Sequence, residues 1–327
     1  MKKKARIAVT RKLPATVETQ LGILFDSKFN LDDTPFSESQ LIRAVNWADI
    51  LVPTVTDKVN AKVINAASPN LKLIANFGVG VNHIDLEAAE AKGIQVSNTP
   101  DVLTEDTADL AMALIIMASR RLGEGERMVR AGNWTGWTPT QLMGNRVSGR
   151  NLGIIGMGRI GQALAKRARG FGMSIHYHNR KRLNLKIERE LKAKHWESLD
   201  GMIANMEIIS INTPLTPSTA NILNAERLKR MQPSSVLINT SRGGLIDEEA
   251  LVENLMKGQI GAAALDVFDG EPHVNPKLMH LENVVLLPHL GSATIEGRVA
   301  MGDKVILNAK RFIDGYPPPD KLILELP

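Results

Sequence analysis

A glycine-rich turn between two apolar segments constrains the fold of this chain more than any other feature. Gly156, Gly158 and Gly161 follow the apolar residues 152–155, and a second short strand is predicted over residues 173–177. This strand, turn, helix and strand unit of about thirty residues is the context in which G-x-G-x-x-G binds a dinucleotide. The first glycine permits a tight turn, the second admits a pyrophosphate, and the third lets the helix approach the strand. The pyrophosphate is then expected at the free N–H groups of the helix N-terminus.

A basic segment follows the second predicted strand of this unit. Residues 178–182 read HNRKR, where an NAD site places Asp or Glu on the ribose 2′-hydroxyl. The nearest acidic residue downstream is Glu188, in the next segment. Arg180 can form paired hydrogen bonds with a 2′-phosphate, and Lys181 adds a positive charge. The segment therefore predicts NADP, with a solvated basic loop as the alternative.

The composition excludes several classes of protein. With 327 residues, 43% of them hydrophobic, the chain is long enough for two domains. It contains no cysteine, which excludes disulfides and thiolate metal sites and suits the cytoplasm. The apolar stretch after the basic residues 1–4 is too short for a signal peptide, and the run 110–118 is too short for a membrane span. The charge of +5 is scattered and aromatic residues make up only 4%, so no nucleic-acid partner is expected.

Short apolar strands alternate with helical patterns along the whole sequence. Strands are predicted over residues 6–9, 50–52, 73–76, 95–97, 208–211, 235–239, 261–265 and 284–287. A long helix is predicted over 105–131, followed by a loop that carries Trp134 and Trp137. The alternation predicts the α/β class with doubly wound sheets. Because the glycine motif lies in mid-chain, a first domain precedes it, and the last predicted helix, 295–312, returns to that domain.

Three polar residues each follow a predicted strand in the second half of the chain. They are Arg242, Glu271 and His289. The carboxyl ends of parallel strands meet at one edge of a sheet, which is where open α/β sheets bind ligands. Each residue alone has an ordinary interpretation, as a helix-flanking charge, a turn residue or a surface histidine. Together they predict a positioned cation beside a histidine–carboxylate pair.

The order of five motifs resembles that of a known family. They read NFGVGVNHID, GIIGMGRIG, NTSRGG, DVFDGEP and PHLGSAT, and they cover nearly the whole chain. In them the sequence resembles the D-isomer-specific 2-hydroxyacid dehydrogenases, particularly the glyoxylate/hydroxypyruvate reductase branch. The resemblance implies two doubly wound parallel-sheet domains, flavodoxin-like and Rossmann, with the active site in the cleft between them. It places a dinucleotide-binding domain at 100–289, inserted into a substrate domain formed by 1–99 and 290–327.

The same resemblance implies a role for individual residues. Arg242 is expected to be the catalytic arginine, Glu271 the carboxylate that supports the histidine, and His289 the acid/base. The backbone of Val79 and Gly80 is expected at the substrate carboxylate. Substrate binding is also expected of Arg242 and Trp137, and no metal is expected. The expected cofactor-binding residues are Gly156, Gly158, Arg159, Ile160, Gly161, Asn179, Arg180, Lys181, Thr213, Pro214, Thr240 and Asp266.

These roles predict an oxidoreductase that reduces glyoxylate or hydroxypyruvate to the 2-hydroxy acid with hydride from NADPH, with NAD as the weaker alternative cofactor. Hydride transfer to a 2-oxo acid places negative charge on the carbonyl oxygen, so a proton donor is needed there. A carboxylate beside His289 favours its protonated form, and Arg242 can bind the substrate carboxylate and polarise the carbonyl.

The sequence is also compatible with other functions. One is an NAD-dependent dehydrogenase for a bulkier D-2-hydroxy acid, and another is an NAD(H)-sensing corepressor-like binding protein. A phosphoglycerate dehydrogenase with a regulatory tail is less favoured because the sequence ends at Pro327. The substrate depends on the pocket near residues 51–54 and the tryptophan loop. The resemblance implies a homodimer through that loop and the helix at 110–118, which together offer more apolar surface than a monomer usually exposes.

Overall fold

A computed structural model describes residues 4–322, which divide into two compact units. The terminal unit comprises the described residues up to Leu103 and those from Thr294 onward, and the central unit is Thr104–Ala293. Of the basic start at 1–4, only Lys4 lies within the described residues. Among residues 4–322, none of the helices combines the length and apolarity that a membrane crossing demands.

The terminal unit is built on a five-stranded parallel sheet. Its strands are β1 (Arg6–Val9), β2 (Asp26–Lys28), β3 (Ile50–Val52), β4 (Leu73–Ala75) and β5 (Gln95–Ser97). Their order, β2-β1-β3-β4-β5, is that of a flavodoxin-like doubly wound fold. This confirms the predicted class for the first domain. The helices α1 (Ala15–Leu24), α2 (Glu38–Trp47), α3 (Ala61–Asn65) and α4 (Leu86–Ala91) connect the strands.

The central unit carries a seven-stranded parallel sheet. Its strands are β6 (Asn151–Ile155), β7 (Ser174–His178), β8 (Ala193–His195), β9 (Ile208–Ile211), β10 (Val236–Asn239), β11 (Ala262–Leu265) and β12 (Val284–Leu286). The order β12-β11-β10-β9-β6-β7-β8 is that of a Rossmann fold with one added strand, which confirms the second predicted fold. The strand order reverses at β6, and Gly156 follows this strand directly.

The predicted helix over 105–131 is wrong, because the chain forms two helices there. The central unit contains α5 (Thr104–Ser119), α6 (Leu122–Arg130), α7 (Arg159–Gly170), α8 (Leu185–Leu191), α9 (Leu199–Asn205), α10 (Ala225–Leu228), α11 (Glu248–Met256) and α12 (Pro276–Met279). Arg121 interrupts the first pair with a left-handed φ of 55°. The Ser119 carbonyl accepts from the Asn145 N–H at 2.7 Å, so a distant loop occupies the acceptor that a continuing helix would use.

The apolar run at 110–118 is also not the exposed surface that its sequence predicts. Ala111, Leu114 and Ile115 in α5 are buried in the core of the central unit, because α5 packs against α7 and the sheet. The large exposed apolar side chains of this region lie farther along the chain, on α6 and in the loop that follows it. They are Leu122 and Val129 on α6, followed by Trp134, Trp137 and Met143 in the next loop.

The chain returns to the terminal unit through its last helix. Helix α13 (Ile295–Ile313) packs against α1 and contributes Met301 and Val305 to the core beside β1. The contact with α1 is close, since a Cβ on Gly302 would lie 2.2 Å from Val17 Cγ2. This core therefore requires both ends of the sequence.

Candidate active site

A histidine and a glutamate meet in the loops that follow two adjacent strands, β11 and β12. His289 Nδ1 lies 2.7 Å from Glu271 Oε2, and Glu271 Oε1 accepts from the Phe268 N–H at 3.0 Å. Burial acts to raise the pKa of Glu271, but the hydrogen bond and charge of His289 outweigh it and hold this pKa below its ordinary value. Because an ionised carboxylate only accepts, Nδ1 carries the proton in this pair. The other ring nitrogen, Nε2, is left to face a substrate.

Asp266 fixes the backbone on which His289 is carried. Its carboxylate is fully buried and accepts from the Leu290 N–H at 2.6 Å and the Gly291 N–H at 2.8 Å. Its main-chain oxygen accepts from the His289 N–H at 2.9 Å. His289 has a left-handed φ of 57°, a conformation that persists only where surrounding contacts enforce it. The sequence predicts a cofactor contact for Asp266 but not this support of the backbone.

Arg242 follows β10, the strand next to β11, and its surroundings are closely packed. The Asn239 side-chain amide donates to the Arg242 carbonyl at 2.9 Å. A Cβ on Gly243 would lie 1.9 Å from the Phe268 carbonyl carbon, so only glycine fits there. Burial lowers the pKa of Arg242, while the charge of Glu271 acts to raise it. The loops after β10 and β11 are thus in direct contact, with the arginine within electrostatic range of the histidine–glutamate pair.

The glycine turn has one open face. Gly156 has a φ of 95°, and a Cβ on it would lie 2.6 Å from the Asn212 carbonyl oxygen. A Cβ on Gly161 would lie 2.4 Å from the Gly156 oxygen, so helix α7 lies close to the turn. Gly158, by contrast, has no atom within 4 Å of where a Cβ would be. This open position precedes Arg159, the first residue of α7, where N–H groups can bind an anion.

Two buried polar atoms near this turn lack a hydrogen-bond partner within residues 4–322. They are Thr240 Oγ1, just after β10, and Asn212 Oδ1, just after β9. An unsatisfied buried polar group costs about 1–3 kcal/mol, so a bound ligand that supplies hydrogen bonds would be favoured here. Together with the open face at Gly158, they fit a dinucleotide laid across the end of the sheet. The predicted cofactor-binding residues include Thr240 and Thr213. They do not include Asn212, which directly precedes Thr213.

The basic segment begins with a residue that supports the glycine turn. Asn179 Oδ1 accepts from the Met157 N–H at 2.7 Å, so this side chain connects the end of β7 to the turn after β6. Arg180 and Lys181 come next and are exposed. Within the described part of the chain, neither cation has a side-chain partner. Both are therefore available to an anionic ligand.

Arg182, the third cation of the segment, is neutralised by a buried carboxylate. Its Nε and Nη2 donate to the two oxygens of Glu188, each at 2.8 Å, and the Tyr177 hydroxyl donates to Oε1 at 2.6 Å. The hydrogen bonds from Arg182 and Tyr177 hold the pKa of Glu188 at about 2. Burial and the bond to Glu188 raise the pKa of Tyr177 to about 12. Glu188 thus belongs to the basic segment structurally, and it leaves two free cations rather than three.

The remaining predicted substrate residues lie apart from these loops in the sequence. Val79 and Gly80 are in the loop that follows β4 of the terminal unit, and Val79 is exposed. Trp137 is 78% exposed in the loop after α6 of the central unit. No hydrogen bond within residues 4–322 involves the Trp137 indole.

A family model matches the central unit. It describes the D-isomer specific 2-hydroxyacid dehydrogenase, NAD binding domain, and it covers residues 112–291. A glyoxylate reductase of Thermococcus onnurineus is 41% identical over 320 residues, which is 97% of this chain and 95% of that protein.

Solved structures agree with this match. A putative D-isomer specific 2-hydroxyacid dehydrogenase from Polaromonas sp. JS6 66 has a TM-score of 0.92 at 41% identity, covering 98% of this chain and 100% of that one. An NADPH-dependent glyoxylate/hydroxypyruvate reductase from Sinorhizobium meliloti, in complex with NADP and malonate, has a TM-score of 0.87 at 35% identity. That alignment covers 98% of this chain and 97% of the other.

Proposed function

Because the chain belongs to the family of D-isomer-specific 2-hydroxyacid dehydrogenases, in its glyoxylate reductase branch, we propose that it reduces glyoxylate and hydroxypyruvate with hydride from NADPH. It is an oxidoreductase that reduces small 2-oxo acids with a nicotinamide dinucleotide. Our proposal goes further in naming NADPH as the cofactor and glyoxylate and hydroxypyruvate as the substrates. The observation that carries the catalytic part is the 2.7 Å contact between His289 and Glu271 at the end of the Rossmann sheet.

A nicotinamide dinucleotide bound at the glycine turn would supply a hydride to the carbonyl carbon of the substrate. His289 then donates the proton from Nε2 to the carbonyl oxygen, where negative charge develops. Glu271 orients the ring through its contact with Nδ1, while Asp266 holds the backbone. Arg242 binds the substrate carboxylate and polarises the carbonyl.

The cofactor preference rests on Arg180 and Lys181. Both are exposed, and no acidic residue directly follows β7, where an NAD site would have one; the nearest, Glu188, is already paired with Arg182. The relative from Sinorhizobium meliloti, which is described as NADPH-dependent, supports the same choice. The open face at Gly158 would admit the pyrophosphate, and Thr240 would supply a hydroxyl to the cofactor. The family resemblance also implies that Asp266 lies beside the nicotinamide amide, and this contact stays a prediction.

The substrate domain is proposed to be the terminal unit. There the backbone N–H groups of Val79 and Gly80 would bind the substrate carboxylate, and Trp137 would line the pocket of a second subunit. This last role requires a homodimer, which we propose on the exposed apolar side chains of α6 and the tryptophan loop. Sedimentation equilibrium at micromolar concentration checks it. A monomer there contradicts the dimer and removes Trp137 from substrate binding.

One kinetic screen tests the proposed reaction. NADPH and NADH oxidation is followed with glyoxylate, hydroxypyruvate and pyruvate, each with both cofactors. We expect the highest kcat/KM with NADPH and either of the first two acids. Failure of all three acids to oxidise either cofactor would refute the reaction, and a preference for NADH would refute the proposed role of Arg180 and Lys181.

A further inference from the structure

One side-chain amide in the terminal unit binds two carbonyls of the loop that follows β4. Asn76 is 1% exposed. Its Nδ2 donates to the Gly78 oxygen at 2.9 Å and to the Gly80 oxygen at 3.1 Å. Both amide hydrogens are therefore used within the loop. The packing is tight as well, because a Cβ on Gly78 would lie 3.3 Å from this nitrogen.

A second asparagine binds the carbonyl between these two. Asn98 Nδ2 donates to the Val79 oxygen at 2.9 Å, and the Thr99 N–H adds a bond of 3.1 Å to the Gly78 oxygen. The three successive carbonyls of residues 78–80 are thus all occupied by donors from within the terminal unit.

The occupied carbonyls determine the direction of the N–H groups. A trans peptide is planar, and its C=O and N–H point in opposite directions. Fixing the carbonyls of Gly78 and Val79 therefore turns the N–H groups of Val79 and Gly80 the other way. Neither N–H donates to any acceptor in residues 4–322. Successive free N–H groups can together bind an anion.

Position 76 requires the particular hydrogen-bonding pattern of asparagine. Its oxygen, Oδ1, lies 3.0 Å from His83 Nε2. Since the nitrogen of the amide already donates to two carbonyls, its oxygen must accept, and Nε2 of His83 carries the proton. An aspartate could accept from His83 but could not donate to either carbonyl, and its charge would face two carbonyl oxygens.

We propose that Asn76 and Asn98 are positioning residues for the substrate carboxylate: they hold the carbonyls of residues 78–80 so that the N–H groups of Val79 and Gly80 are presented to it. This inference rests on the proposed function, in which those N–H groups bind the carboxylate. Neither asparagine touches the substrate. The amides give the site a preference for a carboxylate without adding a charge to the loop.

The test is Asn76→Asp, measured with glyoxylate and with oxamate, which carries a carboxylate but accepts no hydride. We expect the inhibition constant of oxamate and the KM for glyoxylate to rise together, by about tenfold or more, since hydrogen bonds to a charged group are lost. The KM for the dinucleotide should stay within about twofold and kcat should change less than KM, because bound substrate still meets an intact histidine–glutamate pair.

Two further variants keep the test decisive. Val63→Ala removes buried volume from α3 of the same unit without touching the loop, so it should lower the thermal midpoint and leave the oxamate constant unchanged. Asn98→Asp replaces the less buried asparagine and frees one carbonyl, so a smaller rise in the oxamate constant is expected. It serves as the test if the Asn76 variant does not fold.

The same measurements distinguish loss of the positioning role of the two asparagines from failure of the proposed reaction. If Arg242→Ala weakens oxamate binding while both asparagine variants bind it normally, the proposed reaction stands and the positioning role is overturned. An equal rise for Val63→Ala and Asn76→Asp would overturn it too, since general loss of stability would then explain both. If the wild-type protein reduces no 2-oxo acid, the proposed function itself falls.

Discussion

The central unit holds its histidine loop and its basic segment in two different ways. His289 and the two residues after it are fixed by partners 18 to 25 positions away in the chain: Glu271 bonds the imidazole, and the carboxylate of Asp266 accepts from the next two N–H groups. The basic segment is anchored mainly by neighbours: Arg182 bonds Glu188, six residues on, and Tyr177 reaches the same carboxylate across eleven residues. The first arrangement immobilises a proton donor. The second exposes two cations on an otherwise fixed turn, so chemistry and cofactor choice can be altered separately.

The largest expected effect comes from removing the proton donor. His289→Ala should lower kcat by about 10²- to 10⁴-fold, the range typical of a lost general acid. The KM for NADPH should change little, because the basic segment and the glycine turn do not depend on the imidazole. Stopped-flow and steady-state NADPH oxidation with glyoxylate would measure both quantities.

A matched variant, His273→Ala, removes a histidine from the same unit at a position outside the pair and should retain full turnover. If His289→Ala kept its kcat, the proton donor would lie elsewhere. A rise in the KM for NADPH equal to the fall in kcat would show that the two loops are not separable.

An intermediate effect is expected from the basic segment. The double change Arg180→Ala and Lys181→Ala should raise the KM for NADPH by about 10²- to 10⁴-fold, at about 1.5–3 kcal/mol for each charged contact, and leave the KM for NADH nearly unchanged. The difference should shrink as salt is added, because both side chains are exposed. Arg189→Ala, which removes an exposed cation from α8, is the control and should affect neither cofactor.

Asn179→Asp sharpens this test. The new carboxylate can still accept from the Met157 N–H, so the glycine turn keeps its support while a negative charge faces the 2′-phosphate. The preference should move toward NADH. Equal losses with both cofactors in either variant would mean that the segment only supports the fold.

The smallest effect concerns stability in acid. The pKa of Glu188 is about 2 in the folded protein, against an ordinary value of 4.5. The ionised carboxylate therefore stabilises the fold above pH 4.5, and this contribution is lost as the pH falls toward about 2. Glu188→Gln lacks it, so its thermal midpoint should be lower than that of wild type at neutral pH and converge with it in acid. The control is Glu190→Gln, at an exposed position on the same helix, and its thermal midpoint should depend on pH as that of wild type does. If Glu188→Gln also followed the wild-type dependence, the pair with Arg182 would contribute nothing to stability.

Buried strands were predictable because each is an apolar run between polar turns. Residues 50–52 and 208–211 are buried at every position, and their predicted bounds agree with β3 and β9. The edge strands β2 and β8 were missed. Their sequences, Asp-Ser-Lys and Ala-Lys-His, lack an apolar run because an edge strand is covered on fewer sides.

Contacts between residues that are distant in the sequence explain the other points at which the structure differs from the predictions. Residues 119–122 contain no glycine or proline that would mark the end of α5, and the competing hydrogen bond comes from the loop at Asn145. Similarly, the composition of residues 110–118 does not distinguish a helix face that is covered by its own unit from one that is covered by a partner subunit. The sequence placed Arg242, Glu271 and His289 after neighbouring strands, but it could not tell which carboxylate oxygen meets the imidazole or that Asp266 holds the backbone.

Helix α13 has a consequence for the order of events during synthesis. A ribosome releases β1 and α1 first, yet their core is completed only by α13, where Gly302 packs on Val17. The whole of Thr104–Ala293 emerges in between. Apolar residues of α1 therefore stay uncovered in the nascent chain while the central unit folds, a period in which chaperones and aggregation compete for them. A substitution that slows folding of the central unit lengthens this exposure. It therefore favours misfolding of the α1 core in the terminal unit, to which the central unit contributes no residue.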